Sequence, residues 1–212
     1  MSSRFLVTTA IEKSWPKDSS SRVLFLGEWC RLYSRKEHWS KMNAEVLPYH
    51  WDNREKLFND YQYLKDIYEN TLKALQKQLN EIHQVDHSLR YWRILIGPWL
   101  GYFIQMVFDR LSMLKHAFEK HEISCCLILE KDDDILIPND MEDFNSLFVD
   151  DNWNEMIYSQ LLQEYFKESN IIKYVRKKND KPLQYLKDKR IFRSLLSRLK
   201  RSVVKLSMNF YN

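Results

Sequence analysis

Glycine is nearly absent from this 212-residue chain, which has only Gly27, Gly97 and Gly101. With so few, neither a Walker loop nor a GxGxxG turn can be written, which excludes P-loop ATPases and glycine-rich dinucleotide enzymes. Cysteine is scarce too: three, with Cys125 and Cys126 adjacent, make neither a disulfide framework nor a metal-ligand spacing. A cytoplasmic protein without a metal centre or other cofactor is therefore expected. Long apolar runs are also missing. The most apolar stretch, Ile94 to Phe108, contains Gln105 and falls short of the roughly 20 residues of a bilayer span. The N-terminus lacks the apolar core and small-residue cleavage site of a secretory signal. Finally, acid is lacking at the end of the chain. From Lys173 onward 13 basic residues stand against Asp180 and Asp188, a net of +11 that leaves the first 172 residues at −7 within the overall +4.

What is present suits a globular α/β protein, with 44% hydrophobic and 14% aromatic residues. FLVTT (Phe5 to Thr9) and RVLFL (Arg22 to Leu26) read as buried strands. EVLPY (Glu45 to Tyr49) reads as a third, with Pro48 confining it to an end or an edge. Asp52, three residues before Glu55, suggests a capping box opening a helix to His83, its buried face carrying Leu57, Tyr61, Leu64, Tyr68, Leu72, Leu75 and Leu79. A second helical pattern, capped by Asp86 or Ser88, runs to Phe118 with a break expected at Pro98. ISCCLIL (Ile123 to Leu129) is a strand, Ile135 to Pro138 a short extended piece, Asn139 or Asp140 caps a helix toward Phe148, and Trp153 to Phe166 is a further amphipathic helix. Ile171 to Val175 closes the strands, and Ile191 to Leu206 is a basic amphipathic helix. Strands alternating with helices imply an α/β layer architecture with a large helical share.

Candidate chemistry concentrates in two places. Glu28 follows a buried strand and Gly27, where an open α/β sheet places its ligand crevice, and is the candidate general base. A helix-initiating carboxylate is the plainer role for the same residue. His50 and Asp52 in YHWD are candidate substrate contacts, with histidine packing as the alternative. His87, Arg90 and Arg93 open the aromatic stretch from Asp86 to Arg110; two guanidinium forks near a helix start suit a phosphate or carboxylate, or else pair with Glu81 or Asp86. Asp132 to Asp134 reads as a solvated turn rather than a metal site. The basic tail has little aromatic interleaving, which argues against nucleic acid and for anionic lipid or a further part of the polypeptide.

FLVTTA, LFLGEWCRLY, YHWDNREKLFNDYQYL, HSLRYWRILIGPWLGYF, LIPNDMEDF and DNWNEMIY together resemble the N-terminal part of bacterial transferases encoded in O-antigen and other surface-polysaccharide loci. The resemblance covers most of residues 4 to 166. It implies a cytoplasmic sugar transferase with two Rossmann-like domains (GT-B-like), a nucleotide-sugar donor and a glycan or lipid-linked acceptor. Residues 1–172 would form the N-terminal domain and 173–212 a basic helical segment starting the interdomain region. Because those relatives are longer, the chain is expected to be truncated and inactive without a C-terminal half or second polypeptide. The contrasting expectation is a non-catalytic interaction protein that touches partners or membrane through its basic helix.

Overall fold

The computed structural model describes residues 3–129, 138–166 and 172–175, the last as backbone alone. Five strands form one parallel sheet: β1 (Arg4–Val7), β2 (Val23–Phe25), β3 (Ala44–Val46), β4 (Ile123–Leu129) and β5 (Ile172–Val175). Their order is β3-β2-β1-β4-β5. The registers are Leu6 opposite Leu24, Leu24 opposite Glu45, Leu6 opposite Cys126, and Ile128 opposite Tyr174. This is the strand order of a doubly wound sheet, and it reverses direction between β1 and β4. Leu6, Val7, Val23, Leu24 and Phe25 are all at most 2% exposed, as expected of strands covered on both faces. Pro48 falls just past β3, which lies at the sheet edge, so no ladder bond is lost to it.

The helices are α1 (Lys36–Trp39), α2 (Arg54–His83), α3 (Leu89–Lys120), α4 (Met141–Leu147) and α5 (Asp151–Tyr165). The described residues divide into two compact units. One contains residues up to His50 and those from Leu111 onward; the other is Trp51–Arg110. The sheet belongs to the first, and α2 with the N-terminal two-thirds of α3 makes up the second.

Aspartates start the later helices as the capping rule requires. Asp140 Oδ1 accepts from the Asp143 amide at 2.8 Å, and Asp150 Oδ1 from the Trp153 amide at 2.8 Å. At α2 the cap is not Asp52 but Asn53, whose Oδ1 accepts from the Lys56 amide at 2.9 Å. The buried face of α2 is largely the expected one, with Leu64, Leu72 and Leu75 buried and Leu57, Tyr68 and Leu79 half-buried. Asp60, Leu64, Ile67, Thr71, Leu72 and Leu75 are buried, whereas Tyr61 is 59% exposed. Asp60 can be buried because Trp51 Nε1 donates to its carboxylate at 2.9 Å and Lys56 Nζ at 2.5 Å.

Helix α3 passes through Pro98 without the expected break. Pro98 lies on the exposed face, where the carbonyl it leaves without an amide donor can bond water. The flanking turns are pinned by buried Leu100, Phe103 and Ile104. The piece expected at Ile135 to Pro138 and the basic segment from 176 onward lie outside the described residues, as does the acidic run 132–134.

The joint between α2 and α3 depends on Asn80. Its side chain accepts from the His87 amide at 3.2 Å and from Trp92 Nε1 at 2.7 Å, and donates to the His87 carbonyl at 3.0 Å. Gln84 caps α2 in the left-handed region, with φ 54° and ψ 45°, and its amide with that of Val85 satisfies the last helical carbonyls. Glycine takes that conformation without steric cost, so Gln84→Gly is expected to stabilise the fold by about 1 kcal/mol, read as a rise in Tm.

Two histidines at the end of α3 make stability depend on pH. Burial lowers the His121 pKa, with the Arg4 charge adding to it, and burial also lowers that of His116, with Lys120 adding. Both rings bind protons less readily when folded than when unfolded, where the pKa is about 6.5. Stability is therefore full above that pH and declines as pH falls through and below it. Thermal melts between pH 7.5 and 5 should show that decline, and His121→Gln should flatten it.

Candidate functional site

The carboxyl ends of the strands in the first unit define the site. β1 runs into Thr8 and Thr9, β2 into Leu26 and Gly27, and β3 into Leu47 and then Tyr49 and His50. The segment after β2 turns back over the sheet as a 3-10 turn, Glu28–Cys30. Trp29 Nε1 donates to the Thr8 carbonyl at 3.0 Å, and Cys30 Sγ lies 3.5 Å from the Val7 carbonyl. The Trp29 ring occupies the space above Gly27, where a Cβ would meet it at 2.1 Å. Gly27 itself is extended, with φ −176°, so this glycine is required for room rather than for backbone freedom. The edge between β1 and β2 is thus closed by Trp29 and Cys30, and Tyr49 sets its ring 6.4 Å from that of Trp29.

Between β1 and β4, at the reversal of strand order, the arrangement differs. Glu155 of α5 is fully buried. Its Oε2 accepts from Thr9 Oγ1 at 2.6 Å and its Oε1 from the Leu129 amide at 3.3 Å. One carboxylate therefore ties the end of β1 to the end of β4. Thr8 Oγ1 is buried beside it in sequence and has no partner among the described residues. In open α/β sheets the ligand crevice lies at this reversal, outside the carboxyl ends of the strands. Being wholly buried, Glu155 braces the two strand ends, and the Thr8 and Thr9 side chains are buried with it at 2% and 0% exposure.

Sequence reasoning missed Glu155 and the two threonines. The signal in α5 was thin: Glu155 stands beside the apolar run Met156–Tyr158, but Asn152, Asn154, Gln160, Gln163 and Glu164 give the helix a polar side to which an acid could equally belong.

Each candidate named from the sequence has a definite place. Glu28 stands at the carboxyl end of β2 as expected, but 74% exposed, with Arg31 Nη2 2.6 Å from both of its carboxylate oxygens. His50 is buried, its ring 5.2 Å from Tyr49, in the 3-10 turn His50–Asp52, while Asp52 at the other end of that turn is exposed. Glu28 and His50 therefore belong to the strand ends of the first unit, and Asp52, His87, Arg90 and Arg93 to the second. His87 is half-buried, stacked on Tyr91 at 4.0 Å, and its backbone is held by Asn80 and Gln76. Arg93 makes the ion pair that was its plainer alternative, though to neither expected acid. Its two terminal nitrogens meet the Glu69 carboxylate at 2.6 and 2.7 Å, a bidentate fork that holds the Glu69 pKa below the usual carboxylate value. Arg90 is exposed at the start of α3. No group of three or more His, Cys, Asp or Glu side chains among the described residues is arranged to hold a metal ion.

The LIC12162 family transferase model covers residues 4–211. The chain belongs to the LIC12162 family of transferases. No curated protein and no solved structure matches it. A parallel sheet whose order reverses beside β1 is a scaffold on which such a transferase can carry a ligand crevice. No helix among the described residues is long and apolar enough to cross a membrane.

Burial drives the pKa of Cys30 and Cys126 far up, with the Glu155 charge adding to both, so neither thiol ionises in the folded protein. Native protein treated with a thiol reagent near neutral pH should label half-buried Cys125 first and the other two only on unfolding. Glu155→Ala should cost about 3 kcal/mol, since it strips the Thr9 hydroxyl and Leu129 amide of a buried carboxylate. It should also accelerate labelling of Cys30 and Cys126; an unchanged melt and labelling rate would remove Glu155 from this role.

Proposed function

We propose that this LIC12162 family transferase moves a glycosyl group from a nucleotide-activated sugar to a glycan or lipid-linked acceptor in O-antigen or surface-polysaccharide synthesis. The observation that carries the proposal is the parallel sheet whose strand order reverses between β1 and β4, with Glu155 bracing both strand ends, in a chain of a transferase family. The long aromatic motifs shared with polysaccharide-locus transferases supply the substrate class. In this reading the sheet is the N-terminal Rossmann-like half of a GT-B-like enzyme. A second half, on the same or another polypeptide, completes the cleft.

Glu28 is proposed as the general base. It is solvent-accessible at a strand end, with Arg31 beside it, where a carboxylate can accept a hydroxyl proton. Arg90 is proposed as a contact to substrate phosphate or carboxylate. His87 and Arg93, engaged by Tyr91 and Glu69, take a supporting part beside it, and His50 and Asp52 are proposed substrate contacts at the His50–Asp52 turn. The reaction is placed in the cytoplasm, and the +11 segment from Lys173 onward is assigned to anionic lipid at the membrane surface, bringing a lipid-linked acceptor within reach.

A panel of uridine, guanosine and thymidine diphosphate sugars tests this, by equilibrium binding and by transfer in extracts supplying acceptor. Glu28→Gln should reduce transfer by roughly a hundredfold with donor binding retained, the scale of losing a general base. Arg90→Ala should weaken binding of the anionic substrate. Wild-type transfer rates in both variants would reject these two roles, and absence of binding to every nucleotide sugar would reject the donor class.

A further inference from the structure

The second unit contains a cavity of about 330 Å³ between α2 and α3, at the small end of the roughly 300–1,000 Å³ of small-ligand sites. Tyr61 and Tyr68 line one side from α2, and Gly101 and Ile104 the other from α3. The two glycines of α3 have different reasons to be there. A Cβ at Gly97 would lie 2.6 Å from the Tyr68 hydroxyl, so close packing of that ring accounts for Gly97. At Gly101 the nearest atom to an added Cβ is Tyr68 Cε2 at 3.9 Å, an ordinary contact that an alanine would make without strain. Glycine inside a helix is costly, and nothing in the fold asks for it at 101. The space that its missing side chain leaves opens into the cavity.

We propose that this cavity binds a neutral, polyhydroxylated sugar ring, which packs against the α3 backbone at Gly101. The choice of a sugar rests on the sugar-transfer reading above; the existence of the site does not. Trp51, Tyr61 and Tyr68 offer aromatic surface to the apolar face of a pyranose, while Gln105, Lys65 and Glu69 offer donors and acceptors for its hydroxyls. Charge argues against a phosphorylated ligand. A phosphate would meet the Glu69 carboxylate in the same lining as Lys65, and the neighbouring Arg93 is directed to Glu69 and to the Tyr68 face, 5.8 Å from the ring centre. A bare lipid chain would use the aromatic walls and none of the three polar groups.

Saturation-transfer NMR on the full chain, with methyl glycosides of common hexoses, 6-deoxyhexoses and N-acetylhexosamines as probes, tests the proposal together with melting of each variant. The wild type should show saturable transfer to at least one glycoside. Gly101→Leu should weaken that binding by roughly tenfold or more, the equivalent of losing one well-packed contact. Gly101→Ala should weaken it less, yet raise Tm by about 2–4 °C, because the fold loses an unneeded helical glycine. Tyr61→Ala, at an exposed position, should reduce binding with Tm almost unchanged. A structural role for Gly101 predicts the reverse, a lower Tm in Gly101→Ala. Failure of every glycoside to bind, unchanged binding in Gly101→Leu, or saturable binding of farnesyl phosphate in place of the glycosides would overturn the proposal. Because these measurements need neither donor nor catalysis, a negative nucleotide-sugar panel with glycoside binding intact would reject the transfer reading and leave the site standing.

Discussion

The sheet reverses its order at one place, and one buried carboxylate holds the two strands that meet there. Glu155 accepts from Thr9 after β1 and from Leu129 at the end of β4. A fully buried acid is costly unless it is hydrogen-bonded, so it persists only where several donors converge on it. Here those donors are the ends of two neighbouring parallel strands, and the same contacts that satisfy the carboxylate set the spacing of the crevice. The thiols of Cys30 and Cys126 feel it too, since its charge and their burial act in the same direction. They are kept as small neutral core groups rather than nucleophiles.

The adjoining edge shows the opposite solution. Between β1 and β2 the chain folds Trp29 and Cys30 back onto the strand ends, and Gly27 exists to make room for the indole. A glycine directly after a strand usually signals a close approach of ligand or backbone. In this protein a tryptophan of the same turn takes the space. At the β1–β4 reversal the strand ends are instead tied by Glu155, and Glu28 stands exposed at the end of β2.

In the helical unit the aromatic stretch from Asp86 to Arg110 divides by its partners. Its beginning is a joint: Asn80 ties the His87 backbone and Trp92, and Arg93 is locked to Glu69 across the helix pair. Its middle is a packing surface in which Gly97 admits Tyr68 and Pro98 is tolerated because it faces water. One side is left for recognition, with Gly101 at its floor.

How much of this was legible depended on whether the information was local. Strand and helix positions follow from periodicity and caps, which are properties of neighbouring residues. For that reason β4 at Ile123–Leu129, the Asp140 cap and the long α2 were readable, and the family's aromatic motifs were readable as a pattern. Partner choice is not local. Arg93 chose Glu69, 24 positions away, over nearer acids, and Thr9 met Glu155 across 146 positions. Hydrophobic spacing gave most of the buried face of α2, but at one turn Tyr61 is exposed and Asp60 is buried, held by Trp51 and Lys56. Pro98 should have broken α3 by its own chemistry, yet packing on either side carried the helix through it. The residues by themselves determined an α/β chain with few glycines, a basic tail and no glycine-rich phosphate loop. Only the tertiary structure decided which strand ends meet at the reversal, because that depends on contacts between distant residues such as Thr9 and Glu155.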